Sequence, residues 1–183
     1  DLVRSRGLGD VYKRQKIYYW KFLEEKQEAK KWNGPYIEEL KLAEEKYINM
    51  ILKKDKLDEK IFQDMIIEFQ EKPIGTLNAH WFDEKAKALE IGIVLYDSNL
   101  WGLKIGSLVF KEWINMLFEK TSANRIGIST WSGNYRMIKL AKKLNMKEEA
   151  KIREARIVNG EYYDAIKMGI LKKEWKDFLK NTH

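Results

Sequence analysis

The sequence predicts an α/β fold of the α+β type, in which a central mixed, mostly antiparallel twisted sheet carries helices on both faces. Two observations lead to this prediction. Apolar residues repeat first with helical and then with strand periodicity, in the order ααβββαβαββ. Three consecutive strand patterns with short turns form an antiparallel meander, whereas the later strands, which are separated by helices, require crossover connections. The 183 residues have the length of one domain.

The first two elements are predicted to be helices. In 16–31, apolar residues recur at helical intervals among Lys and Glu. The segment that follows contains Gly34 and Pro35, which interrupt helical structure. A second helix is predicted over 37–53. Its apolar stripe consists of Leu40, Ala43, Tyr47 and Ile51.

Three strands follow as a meander. They are predicted over 61–70, 74–82 and 87–96, with turns at 71–73 and 83–85. In the third strand, alternate positions from Leu89 to Leu95 are apolar, which predicts that one face of this strand is strongly apolar.

The second half of the chain alternates helices and strands before it ends in a hairpin. The predicted elements are a helix over 102–119, a strand over 125–131, a helix over 134–144, strands over 148–158 and 161–171, and a closing helix over 173–179. The hairpin is predicted because Asn159 and Gly160 form the strongest short hairpin signal.

Composition excludes several classes of protein. The net charge is +7, but the Lys residues are spread along the chain, which argues against nucleic-acid binding and for a solvated surface or an anionic nucleotide ligand. With no Cys and two His, neither a disulfide framework nor a His-rich metal site is expected. The sequence has no membrane-spanning apolar run and no signal-peptide pattern, so a cytoplasmic protein is predicted.

The first fifteen residues differ from the rest of the chain. They show no clear strand or helix period. We expect 1–15 to be a non-native or disordered leader and 16–183 to form a single domain.

The most informative stretch runs from Ala88 to Leu108. An apolar strand ends at Tyr96, a polar turn follows, and a loop with Gly102 and Gly106 opens into a helix. The N–H groups in the first turn of a helix lack helical partners and lie at the positive end of its dipole, so they bind anions. These residues alone leave two interpretations open, a phosphate-binding loop or an ordinary connection with two incidental glycines.

Three segments together resemble the GNAT superfamily of N-acetyltransferases, in particular its RimJ/RimL-like branch. They are 90–106, 131–146 and the closing hairpin, with 148–150, Arg153, Arg156 and 162–164. The resemblance extends over residues 16–175. It implies the GNAT fold, acetyl-CoA as co-substrate and an amine as acceptor.

The resemblance also implies a diphosphate loop. The family pattern, usually Gln/Arg-x-x-Gly-x-Gly/Ala, falls on Trp101, Gly102, Leu103, Lys104, Ile105 and Gly106. Trp101 and Lys104 depart from it. We expect a helical φ at Lys104, so that its ammonium serves as a counter-charge, and we expect the backbone up to Ser107 to hold the diphosphate.

The pantetheine arm is expected to pair with the preceding strand in the manner of an added strand. The expected contacts are the backbone of Val94, Leu95 and Tyr96 and the side chain of Asn134. Backbone N–H groups at this edge would also polarise the thioester carbonyl.

Glu90 is the candidate general base. It lies eleven residues before Trp101, the spacing of the catalytic Glu in histone-acetylating members of the family, and alternation places it opposite Leu89 and Ile91. An α-amine, with a pKa of about 8, needs a weaker base than a Lys side chain with a pKa of about 10.4. The alternative for Glu90 is a structural role on the strand surface.

The general acid is absent from its usual positions. Where the family carries a Tyr or a Ser, this chain has Ala141 and Met137. Tyr135 is the expected catalytic replacement, with Ser132 or water as alternatives. A thiol with a pKa of about 8.5 leaves as a tolerable anion, so the reaction does not require an acid.

The acceptor pocket is expected between the first two helices and the closing hairpin. Its candidate residues are Trp32, Asn33, Tyr36, His80, Trp81 and Trp131. We predict an N-acetyltransferase, monomeric or homodimeric, that moves an acetyl group directly from acetyl-CoA to a primary amine on a protein N-terminus or a small molecule. The alternative is a non-catalytic acyl-CoA-binding module, which the residues at the acid positions suggest.

Overall fold

A computed structural model describes residues 3–4, 10–38, 41–53, 56–58 and 61–181, which include nine strands. The strands are β1 (Val3–Arg4), β2 (Lys56–Asp58), β3 (Ile61–Phe62), β4 (Asp64–Phe69), β5 (Lys72–Asp83), β6 (Ala88–Leu95), β7 (Arg125–Trp131), β8 (Lys147–Val158) and β9 (Glu161–Leu171).

Seven of these strands form one sheet, in the order β1-β4-β5-β6-β7-β9-β8, and β2 pairs separately with β3. Each neighbouring pair in the large sheet is antiparallel except β6 and β7, which are parallel. The predicted mixed, mostly antiparallel sheet is therefore confirmed.

Five α-helices accompany the sheet in the described part of the chain. They are α1 (Asp10–Tyr18), α2 (Glu44–Lys53), α3 (Ile105–Lys120), α4 (Tyr135–Lys143) and α5 (Lys172–Lys180). A π-helical turn at Tyr19–Leu23 continues α1, and 3₁₀ turns lie at Glu28–Lys31 and Ser98–Leu100. Helix α3 is the crossover connection that the parallel pair requires.

Helix α3 covers the apolar face of the sheet. Its residues Val109, Phe110, Trp113, Ile114 and Leu117 are completely buried. They share one core with alternate residues of β6 and β7, namely Leu89, Ile91, Ile126 and Ile128. The strand alternation read from the sequence thus sets the position of the main core.

Helices α1 and α2 form a smaller core of their own, in which Tyr18 meets Tyr47, Ile48 and Ile51. Alternation along β4 shows that the sheet has a second buried face. Ile67 belongs to the α3 core, whereas its neighbour Ile66, which is 2% exposed, points the other way.

The predicted elements differ most from the structure before residue 54. The first helix begins at Asp10 instead of residue 16, and it ends after the π-helical turn at Glu24, where the backbone becomes extended (φ −64°, ψ 124°). The second helix begins at Glu44 instead of residue 37, and Leu40 lies outside the described residues. A π-helical turn has no signature in a 3.6-residue pattern, so apolar periodicity does not show these ends. After residue 54, the structure contains β2, which was not predicted, and the predicted strand over 61–70 is divided into β3 and β4. The remaining elements differ from prediction only at their ends.

Residues 10–15 of the expected leader form the first part of α1. Arg14 is 3% exposed, and its guanidinium donates to the backbone carbonyl of Asp64 at 3.3 Å. Lys13 forms an ion pair with Glu68 at 2.6 Å. These contacts hold α1 against β4, and the non-native origin of 1–15 stays a prediction.

The closing hairpin turns at Asn159 and Gly160, as predicted, and both residues have positive φ. The pairing of β8 with β9 is irregular between Ile152 and Arg156. There Asp164 accepts a hydrogen bond from the backbone N–H of Glu154 at 3.0 Å. This N–H and the ammonium of Lys151 hold the pKa of Asp164 below its ordinary value.

Glu174 fixes the start of α5. Its carboxylate accepts a hydrogen bond from the backbone N–H of Leu171 at 3.0 Å and forms an ion pair with Lys147 of β8. The Lys147 ammonium, followed by the Leu171 N–H, lowers the pKa of Glu174 from its ordinary value. This residue therefore joins α5 to the outer strand of the sheet.

We expect Leu117→Ala to lower the free energy of unfolding by about 2–5 kcal/mol, because it leaves a cavity in the main core. Leu108→Ala on the same helix is the matched control, since Leu108 is 55% exposed. It should change the free energy by less than about 1 kcal/mol. Urea unfolding followed by circular dichroism measures both, and equal losses would contradict the assignment of the α3 core face.

We expect the stability contributed by Glu174 to disappear in acid. Because its folded-state pKa is lowered, this contribution is fully present above the ordinary pKa of 4.5 and is lost as pH falls through the folded-state value. Urea unfolding at several pH values should therefore show a gap between wild type and Glu174→Gln at pH 7 that closes below pH 4.5. Glu112→Gln, at an exposed position of α3, is the control and should show no such gap.

Candidate active site

A cleft opens where β6 and β7 stop pairing. Their parallel register extends from Ala88 opposite Arg125 to Glu90 opposite Gly127. Beyond this point β6 continues to Leu95 and β7 continues to Trp131 without pairing with each other. The two strands therefore diverge, and part of one edge of β6 faces a gap.

The backbone of β6 presents alternate residues to this gap. Tyr96 donates its N–H to the carbonyl of Ile74 at 2.9 Å, which directs the backbone of Tyr96 and Val94 toward the β5 side. Because successive residues of a strand alternate, Ile93 and Leu95 direct their backbone groups toward the gap. The indole Nε1 of Trp101 donates to the Leu95 carbonyl at 3.0 Å and so ties the following loop to the end of β6.

The loop between β6 and α3 has two residues in the left-handed region. Gly102 has φ +86°, and Lys104 has φ +65° with ψ 0°. The expected helical φ at Lys104 is therefore wrong. A side chain in this conformation costs about 1 kcal/mol, which the loop accepts in order to direct the chain into α3.

The first turn of α3 faces the cleft with its amide groups. In the first hydrogen bond of this turn, the N–H of Leu108 donates to the carbonyl of Lys104 at 3.1 Å. The N–H groups of Ile105, Gly106 and Ser107 precede it and have no acceptor within the helix. A Cβ added at Gly106 would meet only Leu95, at 3.2 Å, so the backbone is accessible here. Helix N-termini with accessible amides of this kind can bind anions.

The cleft has a volume of ≈ 530 Å³ and a basic lining. Lys104, Arg136, Lys139 and Lys143 line it, and no Asp or Glu is found among the described residues of its wall. The Lys143 ammonium lies 3.4 Å from the Ser107 hydroxyl, beside the first turn of α3. The remainder is mostly apolar, including Ile93, with a few uncharged polar residues such as Asn134. The cleft therefore combines an apolar groove with a strongly positive end.

Arg136 lies close to two tryptophans of this lining. Its guanidinium carbon is 5.0 Å from the ring centroid of Trp101 and 5.0 Å from that of Trp32. The Trp32 backbone is also held in place, because its carbonyl accepts hydrogen bonds from Trp131 Nε1 at 2.9 Å and from Asn134 Nδ2 at 3.0 Å. The Asn134 Oδ1 atom accepts the N–H of Met137 at 3.1 Å and caps α4.

The candidate acids are in different environments. Tyr135 lines the cleft, is 58% exposed and packs edge-on against Trp32 with ring centroids 5.0 Å apart. Ser132 lies outside the lining, and its hydroxyl accepts the N–H of Asp164 at 3.0 Å. Ala141 is completely buried. Of the two hydroxyl-bearing candidates, Tyr135 is therefore the one that lines the cleft.

Glu90 is the last residue of β6 that pairs with β7. Its carboxylate accepts a hydrogen bond from the Ser129 hydroxyl and lies 3.4 Å from the Lys167 ammonium, and it does not line the cleft. His80 is opposite Glu90 on β5 and is exposed. Glu90 therefore lies at the apex of the gap, in an ion pair.

Two further candidates for the acceptor pocket are brought together beside the cleft. The rings of Tyr36 and Trp131 lie 6.4 Å apart, and Tyr163 packs against Trp131 at 4.8 Å. Arg156 lies 4.8 Å from the Tyr36 ring. A Cβ at Gly133 would come within 1.9 Å of the Trp131 ring, so this position requires glycine.

Most of the predicted cofactor residues line the cleft, whereas Tyr96 and Leu103 do not. Of the predicted acceptor residues, Trp32 and Asn33 line it, and Tyr36, His80, Trp81 and Trp131 lie outside its wall. The residues that sequence reasoning missed include Ile93, Arg136, Lys139, Leu140 and Lys143. Four of them recur on one face of α4 at helical spacing, a signal present in the sequence.

The described residues contain no cluster of three or more His, Cys, Asp or Glu that could hold a metal ion. Within the same residues, no helix is both long and apolar enough to cross a membrane.

Comparisons with known proteins identify the family and the fold. A family model described as acetyltransferase (GNAT) domain matches residues 14–147. A GNAT-family acetyltransferase from Bacillus anthracis is 17% identical, with a TM-score of 0.67 over 94% of this chain and 95% of that chain. No curated protein sequence matches the chain.

Two further solved structures carry more specific names. A ribosomal-protein-alanine N-acetyltransferase from Brucella melitensis is 17% identical, with a TM-score of 0.68 over 93% of this chain and 99% of that chain. A spermidine N-acetyltransferase variant from Vibrio cholerae is 15% identical, with a TM-score of 0.70 over 99% of both chains. Since the family model covers most of the sequence and these structures share its fold, the chain belongs to the GNAT acetyltransferase family.

Proposed function

We propose that this acetyltransferase moves an acetyl group from acetyl-CoA directly to a primary amine within a ternary complex. The observation that carries the proposal is the gap between β6 and β7, which ends at the basic first turn of α3. A non-catalytic acyl-CoA-binding module is not favoured, because the family and the structural neighbours are acetyltransferases.

The residues of the cleft fit acetyl-CoA. The amides of Ile105, Gly106 and Ser107 offer donors to a diphosphate, and the neighbouring lysines supply counter-charge. The backbone groups of Ile93 and Leu95 can pair with the amides of the pantetheine arm, as in the addition of a strand to a sheet edge. The cofactor supplies an acetyl group activated as a thioester.

Two side chains are proposed for proton transfer. Glu90, whose carboxylate lies 3.4 Å from the Lys167 ammonium, accepts the amine proton through water at the apex of the gap. Tyr135, exposed in the cleft, donates a proton to the leaving thiolate. The chain contains no Cys, so the acetyl group cannot pass through a cysteine thioester, and the amine attacks the acetyl carbon directly.

The acceptor is proposed to be a protein N-terminus or a small amine. Both classes occur in the names of structural neighbours, a ribosomal-protein-alanine and a spermidine N-acetyltransferase. The proposed acceptor residues are Trp32, Tyr36, Trp131 and His80. The Tyr36 ring lies beside Trp131, which packs against Tyr163 of the closing hairpin, and the carbonyl of Trp32 accepts a hydrogen bond from Trp131. His80 is included because it lies opposite Glu90 on β5.

The central test is release of free thiol from acetyl-CoA with a panel of amines, repeated with Glu90→Gln. For alkyl amines with a pKa near 10, the variant should lower kcat by about 100-fold, because a base must generate the neutral amine. For peptide α-amines, with a pKa near 8, the loss should be less than about 10-fold.

An unchanged rate with both kinds of amine would remove Glu90 from the mechanism. Acetyl-CoA binding without turnover across the whole panel would contradict the proposed transfer itself. Glu112→Gln, far from the cleft on the exposed side of α3, is the matched control and should behave as wild type.

Lys104 allows charge and backbone strain to be separated. Lys104→Ala and Lys104→Gly both remove the ammonium, so both should raise the KM for acetyl-CoA to a similar extent. Only glycine relieves the positive φ, so Lys104→Gly should be more stable than Lys104→Ala by about 1 kcal/mol in urea unfolding. Lys142→Ala, which removes a lysine outside the cleft, should leave the KM unchanged. Equal stability of the two Lys104 variants would contradict the strained conformation.

A further inference from the structure

The guanidinium of Arg136 lies within cation–π distance of two tryptophan rings. Trp101 and Trp32 contribute one ring each, both with centroids 5.0 Å from the guanidinium carbon. Cation–π contacts of this kind are favourable and use none of the guanidinium N–H groups. The contacts therefore restrict the position of the group and leave its N–H donors available.

The edge of the guanidinium has no protein acceptor. Within the described residues, Arg136 forms neither an ion pair nor a side-chain hydrogen bond, although it is one of four cations in a cleft without a carboxylate. Arg136 is exposed, so its N–H groups are accessible to a ligand that enters the cleft. Its planar fork of N–H donors has the geometry that matches phosphate oxygens.

Both tryptophans are anchored independently of Arg136. Trp101 Nε1 donates to the Leu95 carbonyl at 3.0 Å, and the Trp32 carbonyl accepts from Trp131 Nε1 at 2.9 Å. The stack is therefore built on two fixed supports, one after β6 and one in the segment before α2. Such support orients the arginine before a ligand arrives, which lowers the entropy lost on binding.

We propose that Arg136 is a phosphate-recognising residue, which the Trp32 and Trp101 rings orient so that its N–H fork binds a phosphate of the CoA nucleotide. The proposal rests on the proposed use of acetyl-CoA. The ligand chemistry is a phosphate group with two possible sources, the diphosphate or the 3′-phosphate. Lys104, Lys139 and Lys143 supply positive charge around this group, whereas Arg136 supplies directed, paired donors.

The test compares Arg136→Gln and Arg136→Lys with wild type by titration calorimetry, using CoA and 3′-dephospho-CoA. Arg136→Gln should weaken CoA binding by about 10- to 100-fold, the effect of losing a charge-assisted hydrogen-bonded pair. Arg136→Lys, which keeps the charge but loses the fork, should recover only part of this loss. Lys142→Gln removes a charge from the same helix outside the cleft and should bind CoA as wild type does.

A third ligand separates recognition from a merely structural role. S-acetylpantetheine carries the thioester but no phosphate, so kcat/KM for its reaction should be unchanged in Arg136→Gln. If Arg136→Gln loses affinity for both CoA and 3′-dephospho-CoA, the contact is with the diphosphate. If it loses affinity for CoA alone, the contact is with the 3′-phosphate. Either result supports the proposal.

Three results would overturn the proposal. The first is that Arg136→Gln binds CoA with wild-type affinity, and the second is that Arg136→Lys binds CoA with wild-type affinity. The third is that Arg136→Gln lowers kcat/KM for S-acetylpantetheine by the same factor as it lowers CoA affinity. Failure of the wild-type protein to bind CoA would instead contradict the proposed function, so the two failures are distinguishable.

Discussion

The early end of pairing between β6 and β7 is the constraint on which the candidate site depends. Each strand is held firmly on its other side, since β6 pairs with β5 as far as Leu95 and β7 pairs with β9 as far as Trp131. Neither strand can move to close the gap without breaking a ladder of backbone hydrogen bonds. The sheet therefore keeps an open edge in its interior, where Ile93 and Leu95 present backbone groups that an incoming chain can bind.

The loop after β6 converts this gap into an anion site. The indole of Trp101 donates a hydrogen bond to the Leu95 carbonyl, so the chain turns tightly at the end of the strand. Two residues in the left-handed region, Gly102 and Lys104, then direct the chain into α3. The strain at Lys104, about 1 kcal/mol, is small compared with the free energy gained by burying the apolar face of α3. This burial fixes where the helix begins. The main core thus holds the amides of the first turn in place, and Lys104 adopts a conformation that favours glycine.

Sequence periodicity predicted the elements that bury one regular face. The meander, α3, β7 and the closing hairpin follow from apolar alternation or helical spacing, and Asn159 and Gly160 identify the last turn. The π-helical turn at Tyr19–Leu23 and the φ of Lys104 were not predictable in this way, because both depend on tertiary packing. The sequence shows that the cations of α4 lie on one face of the helix. It does not show that this face lines the cleft, because the orientation of α4 depends on the burial of Ala141 on its other side.

The charge of the cleft also restricts how an amine can approach in the proposed reaction. A protonated amine entering past Lys104, Arg136, Lys139 and Lys143 would meet four like charges and no carboxylate in the described wall. Two of the proposed acceptor residues, Tyr36 and Trp131, lie outside this wall. An amine that enters beside them does not pass the four cations. In the proposed ternary complex, acetyl-CoA and the amine therefore reach the gap from different sides.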